Sequence, residues 1–326
     1  MIEASTQRHL IEVEDLQVHF GSQKAPVRAV DGASFSVVEG ETVALVGESG
    51  CGKSVTSLSL ARLVPTPPAR YPGGRIMYDG ANVLEMSEKD LRRLRGNEIS
   101  YVFQEPTSSM NPVFQIGSQI AEAIKMHRPG TAIRQEVQRL LDLVRIPDPH
   151  SRMRAYPHEL SGGMLQRVMM AMALACQPRV LVADEPTTAL DVTIQAQILE
   201  LLVDLQRELG MAVLLITHNL GLVADVAHRV NVMYAGRIVE SGAVEDVLSS
   251  PKHPYTQALL GAVPRLEGGQ ERLDGIEGSV PNPSQLPEGC TFQPRCSRSG
   301  EPCRQIEPHM EVVQGDHRVR CHFWNE

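Results

Sequence analysis

The stretch TVALVGESGCGKS, residues 42–54, decides the fold, because it joins an apolar run to a glycine-rich loop. The run from Thr42 to Val46 has the composition of a buried strand, and the small residues after the loop predict a helix that ends near Leu63. The loop fits the pattern G-x-x-x-x-G-K-[ST], in which backbone N–H groups surround phosphate oxygens at a helix N-terminus. The sequence therefore predicts an α/β fold with a phosphate loop, whose eight residues are candidate nucleotide ligands: Gly47, Glu48, Ser49, Gly50, Cys51, Gly52, Lys53 and Ser54.

Two side chains of this loop carry the predicted chemistry. Lys53 would reach the β- and γ-phosphates of a nucleotide, and the hydroxyl of Ser54 would be a ligand of Mg²⁺. Cys51 occupies a variable position of the pattern, so we expect its thiol to be inert.

A second apolar run, Val180 to Ala183, ends on two acidic residues. A buried strand of this kind, when it follows a phosphate loop in the same chain, is typical of a Walker B strand. In that interpretation Asp184 would hold the Mg²⁺ shell, and Glu185 would polarise the attacking water.

The order of the predicted strands and helices indicates the architecture of the rest of the chain. Residues 11–38 alternate apolar and polar side chains, which predicts antiparallel strands, whereas residues 105–178 have a helical pattern. A helix at 193–209, a strand at 212–216 and shorter strands around 230–240 complete a parallel sheet between helices, with a helical subdomain at about 105–178. Frequent prolines preclude long helices after residue 263, so we predict a main domain at 1–263 and a small extension at 264–326.

Composition narrows the possible functions. The chain has 326 residues, 42% hydrophobic content and a net charge of -8. Such an acidic chain is a poor candidate for sequence-independent nucleic-acid binding, which needs clustered Lys and Arg. The first residues have no signal-peptide pattern, and no stretch approaches the ~18–20 apolar residues of a spanning helix. We therefore expect a soluble chain that reaches a membrane only through partners.

The segment LSGGMLQ, residues 160–166, distinguishes this chain from other NTPases, since a phosphate loop and a Walker B strand also occur in kinases and helicases. LSGG at the start of a helix, shortly before Walker B, resembles the signature motif of the ATPase subunits of ABC transporters. The resemblance implies their cassette, which has a parallel-sheet core, an antiparallel β subdomain and a helical subdomain, and it implies ATP hydrolysis. It also implies that the signature residues contact ATP held by an opposite subunit: Ser161, Gly162, Gly163 and Gln166.

Four further elements of that family can be matched to this sequence. Gln104 resembles the Q-loop glutamine that contacts Mg²⁺ and the attacking water, and His218 resembles the switch histidine that contacts the γ-phosphate. Ala189-Leu190-Asp191 resembles the D-loop, which crosses the dimer interface. Phe20 lies where the family stacks an aromatic ring on adenine, although Tyr is common there.

Two segments outside the nucleotide motifs resemble one subfamily of these ATPases. PKHPYT at 251–256 and SSMNP at 108–112 resemble the oligopeptide and dipeptide importer ATPases, although relatives that import nickel and other solutes share the same extension. The resemblance implies a second ATPase subunit in a heterodimer, two transmembrane permease subunits and an extracytoplasmic solute-binding protein. It places the chain at the cytoplasmic face of the inner membrane, as a peripheral subunit.

Two alternatives of another class are a soluble ABC ATPase and a regulatory module whose cysteine region senses metal or redox state.

The extension carries four of the six cysteines, Cys290, Cys296, Cys303 and Cys321, with the spacing C-x₅-C-x₆-C-x₁₇-C. A segment rich in Pro and Gly needs a cross-link to become ordered, and disulfides are disfavoured without a secretion signal. Four thiolates suit zinc or an iron–sulfur cluster equally by count, but zinc sites tend to have C-x₂₋₄-C pairs, which this region lacks. The region also resembles the cysteine-bearing tails of dipeptide-importer ATPases, which are associated with iron–sulfur binding. A [4Fe–4S] cluster is therefore the first expectation, with zinc and free thiols as alternatives.

Overall fold

The computed structural model describes residues 9–188, 190–262 and 276–325. Its strands are β1 (His9–Gly21), β2 (Pro26–Val38), β3 (Thr42–Val46), β4 (Ala69–Tyr78), β5 (Ala81–Asn82), β6 (Ile99–Val102), β7 (Val180–Asp184), β8 (Ala212–Thr217), β9 (Arg229–Tyr234), β10 (Arg237–Ala243), β11 (Glu311–Gln314) and β12 (His317–Val319). Its α-helices are α1 (Lys53–Ser59), α2 (Glu88–Leu94), α3 (Pro106–Ser109), α4 (Ile116–His127), α5 (Ile133–Leu143), α6 (Pro149–Arg152), α7 (Gly162–Leu174), α8 (Val192–Leu209), α9 (Val244–Ser249), α10 (Pro254–Gly261) and α11 (Glu301–Gln305). Short 3₁₀ segments occur at Val83–Glu85, Pro157–Glu159, Leu220–Val223 and Gln293–Arg295.

The described residues fall into two compact units. The loop unit comprises His9–Val37, Thr42–Glu85 and the described part of Ile216–Glu326. The helical unit comprises Val38–Glu41 and Met86–Leu215, so the chain passes from one unit to the other within β8.

The loop unit contains two groups of strands. One is a four-stranded sheet in the order β2-β1-β4-β5, in which β1 and β4 are antiparallel and Ile11 lies opposite Tyr78. The other runs in the order β11-β12-β10-β9-β3, with β3 parallel to β9 and β10 antiparallel to β9. All five residues of β3 are buried, as expected for a parallel strand that is covered on both faces. The phosphate loop follows this buried strand directly in the sequence.

Three aromatic rings form the centre of one core of the loop unit. The ring of Tyr234 on β9 lies 4.7 Å from Tyr255 on α10 and 5.1 Å from Phe292 in the C-terminal extension, centroid to centroid. Both pairs are edge-to-face, an arrangement that adds about 0.5–1.5 kcal/mol per pair beyond the burial of area. The extension therefore contributes to the same core as the strands.

A buried carboxylate holds the extension against β10. Glu240 is 0% exposed and accepts hydrogen bonds from the backbone N–H groups of Lys252 (2.7 Å) and His253 (2.9 Å). The ring Nε2 of His317 on β12 lies 2.8 Å from the same carboxylate. Because a buried charge is tolerated only with partners, these contacts fix β12 beside β10.

The helical unit holds three strands in the order β8-β7-β6, of which β6 and β7 are parallel, with Ile99 opposite Val180. The hydroxyl of Ser87 accepts a hydrogen bond from the Asp90 N–H (3.3 Å), which caps the start of α2. The helices α3 to α7 occupy the region 105–178 that was predicted to be helical.

The predicted α/β class is observed, and so are the strands predicted at 42–46, 180–184 and 212–216. Five strands were not expected: β4, β5, β6, β11 and β12. The ten-residue strand β4 contains Pro72, Gly73 and Gly74, which favour turns, and the other four strands have two to four residues each. The residues of β11 are mostly exposed, so no alternating pattern marks it. The domain boundary predicted between residues 263 and 264 lies outside the described residues. No described helix is long and apolar enough to span a membrane.

Candidate nucleotide site

The phosphate loop, Gly47–Ser54, connects β3 to α1 through backbone that requires glycine. Gly52 has a φ of +112°, and a Cβ atom on it would lie 2.5 Å from the carbonyl oxygen of Ala29. A Cβ atom on Gly47 would lie 2.2 Å from the carbonyl oxygen of Met233. The spacing of glycines in the motif thus reflects close backbone contacts as well as access for phosphate.

Lys53 is buried at 5% exposure, and its ammonium lies inside the loop. It donates hydrogen bonds to the carbonyl oxygens of Gly47 (2.7 Å) and Glu48 (3.0 Å). Ser54 is exposed, so its hydroxyl is accessible. Cys51 is fully buried and burial raises the pKa of its thiol, which agrees with the expectation that it is inert.

Two residues that the sequence did not assign to the nucleotide site contact this loop. The backbone N–H of Glu48 donates to the hydroxyl of Tyr255 (2.8 Å). The carboxylate of Glu48 pairs with the guanidinium of Arg295, at 2.7 and 3.1 Å. Tyr255 lies in the PKHPYT segment that the sequence singled out for another reason, whereas no local pattern marks Arg295.

In the helical unit, Glu185 follows β7 and has the unusual φ of +46° for a residue with a side chain. Its Oε2 accepts hydrogen bonds from Gln104 Nε2 (3.2 Å) and from the hydroxyl of Thr188 (2.9 Å). The structure thus brings the predicted Q-loop glutamine to the predicted general base, and it adds Thr188, which the sequence reasoning missed. Asp184, the last residue of β7, is half-buried.

The signature segment lies at the start of α7. Ser161 is exposed and caps the helix by accepting a hydrogen bond from the Met164 N–H (3.4 Å). A Cβ atom on Gly163 would lie 2.8 Å from Cγ2 of Ile194, so α8 packs against this glycine. Gln166 is only 2% exposed, so its predicted contact with nucleotide has no support from its position.

The remaining predicted residues are divided between the two units. Asp191 is exposed and caps α8 through a hydrogen bond from the Ile194 N–H (2.9 Å), whereas Ala189 lies outside the described residues. In the loop unit, Phe20 is half-buried near the end of β1, and His218 is exposed directly after β8.

The four cysteines of the extension line one small enclosed cavity of about 10 Å³, together with Phe292. Cys290 and Cys303 are joined by a backbone hydrogen bond of 2.8 Å, and all six cysteines of the chain are free thiols. Burial raises the pKa of Cys290 to about 11, and the neighbouring Cys303 thiol adds to the shift. In the described part of the chain, no group of three or more His, Cys, Asp or Glu side chains is arranged to hold a metal ion.

Two family models match the chain. One, described as "ABC transporter", matches residues 30–188, and the other, "Oligopeptide/dipeptide transporter, C-terminal region", matches residues 239–303. The "Dipeptide transport ATP-binding protein DppD" of Haemophilus influenzae is 49% identical over 315 residues, which cover 96% of this chain and 95% of that protein. The "Oligopeptide transport ATP-binding protein AppD" of Bacillus subtilis is 46% identical and covers 97% of each chain.

A solved structure agrees with these matches. CbiO1 from Clostridium perfringens, described as part of an ABC transporter complex, superposes with a TM-score of 0.64 at 28% identity. The match covers 74% of this chain and 91% of that one. The soluble ATPase and the regulatory module are not favoured by relatives of this kind. The chain therefore belongs to the ABC transporter family, as one of its ATP-hydrolysing subunits.

Proposed function

We propose that this chain powers the import of di- or oligopeptides by closing on ATP against a second ATPase subunit beneath two membrane permease subunits. One observation carries the proposal: a single chain combines the ABC transporter match with the match to the C-terminal region of oligopeptide and dipeptide transporters. Nickel and other solutes remain the alternative cargo, because the ATPase subunit does not itself bind the solute. An extracytoplasmic solute-binding protein would deliver the peptide, and the chain would lie at the cytoplasmic face of the inner membrane.

The proposed roles follow the chemistry of each side chain. Phe20 would stack on adenine, the phosphate loop with Lys53 would bind the phosphates, and Ser161 with Gly163 would contact the γ-phosphate of ATP on the facing subunit. Oxygen ligands of the kind that Mg²⁺ prefers come from Ser54, Gln104 and Asp184. The bound ion would supply charge neutralisation at the β- and γ-phosphates.

For hydrolysis, Glu185 would accept a proton from the attacking water while His218 contacts the γ-phosphate. Gln104 and Thr188 hold Glu185 for this role, since both donate a hydrogen bond to its Oε2 atom. A general base in this position typically contributes a factor of about 10²–10⁴ to the rate.

An uptake experiment tests the proposed cargo. Cells that lack the gene should lose uptake of a labelled dipeptide, and the wild-type gene should restore it, whereas Glu185→Gln should not. Uptake of nickel should be unchanged. If the deletion strain takes up dipeptide normally but is defective in nickel uptake, the cargo is nickel and not peptide.

The second ATPase subunit is proposed to be a different chain. The isolated protein should then be mostly monomeric in light scattering at micromolar concentration, and it should hydrolyse ATP slowly. Co-purification after mild detergent extraction should recover two permeases and one further ATPase chain. Full stimulated activity from a homodimer of this chain would contradict the heterodimer.

We also propose that the extension binds a [4Fe–4S] cluster, because its four thiols share one cavity. Thiolates are the usual ligands of such clusters. Among the described residues no group of three or more His, Cys, Asp or Glu side chains is arranged to hold a metal ion, so a cluster and a zinc ion would both require the thiols to move. Zinc is the alternative, with four ligands about 2.0–2.3 Å from one ion. A cavity of about 10 Å³ holds roughly one water, so a cluster requires the cysteine side chains to rotate outward.

Anaerobic purification followed by iron, sulfide and zinc analysis tests this second proposal. The wild-type protein should contain about four irons and four sulfides, and the Cys296→Ser, Cys303→Ser double variant should lose them. Cys176→Ser is the matched control, since Cys176 is a buried thiol of the helical unit. Colourless wild-type protein without iron would end the cluster hypothesis.

A further inference from the structure

Arg295, in the C-terminal extension, is almost completely buried, with 5% of its side chain exposed. Its guanidinium makes two parallel hydrogen bonds to the carboxylate of Glu48, at 2.7 and 3.1 Å. It also donates to the carbonyl oxygens of Glu277 (2.8 Å) and Ile276 (3.2 Å). The two residues of the pair are 247 positions apart in the sequence.

Aromatic rings fix the guanidinium in this place. Its central carbon lies 5.8 Å from the ring centroid of Tyr234 and 6.0 Å from that of Phe292. Contacts of this kind attract a cation and exclude water, which strengthens the ion pair with Glu48. The bidentate geometry adds a directional constraint that a lysine at this position could not reproduce.

Glu48 is the only acidic residue of the phosphate loop. A triphosphate carries several negative charges, so a free carboxylate at the second position of the loop would repel it. The Lys53 ammonium already lies 3.0 Å from the carbonyl oxygen of Glu48, so a released carboxylate could also compete for that ammonium. The ion pair with Arg295 would prevent both the repulsion of the triphosphate and the competition for the Lys53 ammonium.

We propose that Arg295 is a positioning residue for ATP binding, which neutralises Glu48 and holds its carboxylate away from the phosphates. The C-terminal extension would thereby take part in nucleotide binding without contacting the nucleotide. The inference rests on the proposed role of the phosphate loop in binding ATP.

The test measures equilibrium binding of a non-hydrolysable ATP analogue and of ADP, both with Mg²⁺, to the full-length chain. Arg295→Gln should weaken binding of the ATP analogue by roughly tenfold, and that of ADP by less, because ADP carries less charge. The Arg295→Gln, Glu48→Gln double variant should regain most of the lost affinity, since the repelling carboxylate is gone. Arg295→Lys keeps the positive charge and should lose only part of the affinity. Arg318→Gln, which changes an exposed arginine of the same extension, should leave binding unchanged.

The possible results separate the alternatives. If Arg295→Gln binds the ATP analogue as tightly as the wild type, the proposal is wrong. If the double variant stays as weak as Arg295→Gln, the arginine only supports the packing of the extension, and the neutralising role is overturned. Thermal unfolding of each variant identifies loss of folding, and Arg295→Lys tests the pair should the glutamine variant not fold. A wild-type chain that binds nucleotide no better than Lys53→Ala would instead overturn the role of the loop itself, and the inference with it.

Discussion

Replacing Tyr255 by phenylalanine removes one buried oxygen atom and should loosen the phosphate loop. Tyr255 is 0% exposed, and its hydroxyl accepts a hydrogen bond from the Glu48 N–H, at 2.8 Å. Phenylalanine keeps the ring beside Tyr234 and Phe292, 4.7 and 5.4 Å away between centroids, so no large cavity forms. The cost therefore comes from a partly buried N–H that loses its acceptor, which is about 1–2 kcal/mol.

Urea unfolding of the full-length chain measures this effect. We expect the free energy of unfolding to fall by about 1–2 kcal/mol in Tyr255→Phe, and affinity for nucleotide to fall several-fold because the loop is less fixed. The control is Tyr156→Phe, since Tyr156 is 37% exposed and should change stability by less than about 0.5 kcal/mol. Unchanged stability and unchanged affinity in Tyr255→Phe would refute the reasoning.

Three further predictions use other parts of the chain. Glu185→Gln should keep ATP binding and lose about 10²–10⁴-fold in turnover, and a variant that retains more than about a tenth of wild-type turnover would disprove the general-base role. Gly47→Ala should abolish nucleotide binding or lower the melting temperature markedly, because its Cβ would lie 2.2 Å from the Met233 carbonyl oxygen; normal binding and melting would show that the backbone relaxes. Hydrogen bonds from Arg139 lower the pKa of Glu136 from 4.5 to about 2, so its ionised form stabilises the fold above pH 4.5 and this contribution is lost as pH falls towards 2. The stability advantage of the wild type over Glu136→Gln should therefore shrink by about 2 kcal/mol between pH 6 and pH 3 in urea titrations, and a difference independent of pH would contradict the assignment.

The sequence predicted those parts of the site whose chemistry depends on local order. The phosphate loop, the strand before Asp184 and the helix that begins at LSGG are each encoded within a few consecutive residues, so periodicity and motif spacing reveal them. The hydrogen bond from Gln104 to Glu185 agrees with their predicted shared function, although no sequence pattern predicts the distance between them.

Local sequence patterns could not predict the contacts between residues that are far apart in the sequence. Arg295 reaches Glu48 from a segment whose prolines and glycines predict only irregular structure, and no local pattern marks Arg295 or links it to the phosphate loop. Likewise, β12 has three residues, and it forms a strand because β10 offers an open edge and Glu240 offers a partner for His317. Pairing of this kind is set by the tertiary structure and leaves no periodic trace in the sequence.

The contact between Glu240 and His317 also has a consequence for synthesis on the ribosome. The two residues are separated by 77 positions, so at roughly 5–20 residues per second His317 is made about 4–15 s after Glu240. During that interval β10 has no β12 beside it, and an uncovered strand edge is a template for pairing with other chains. Translation that stops before residue 317 therefore releases an aggregation-prone fragment that chaperones and proteases can recognise, whereas in the finished chain β12 covers that edge.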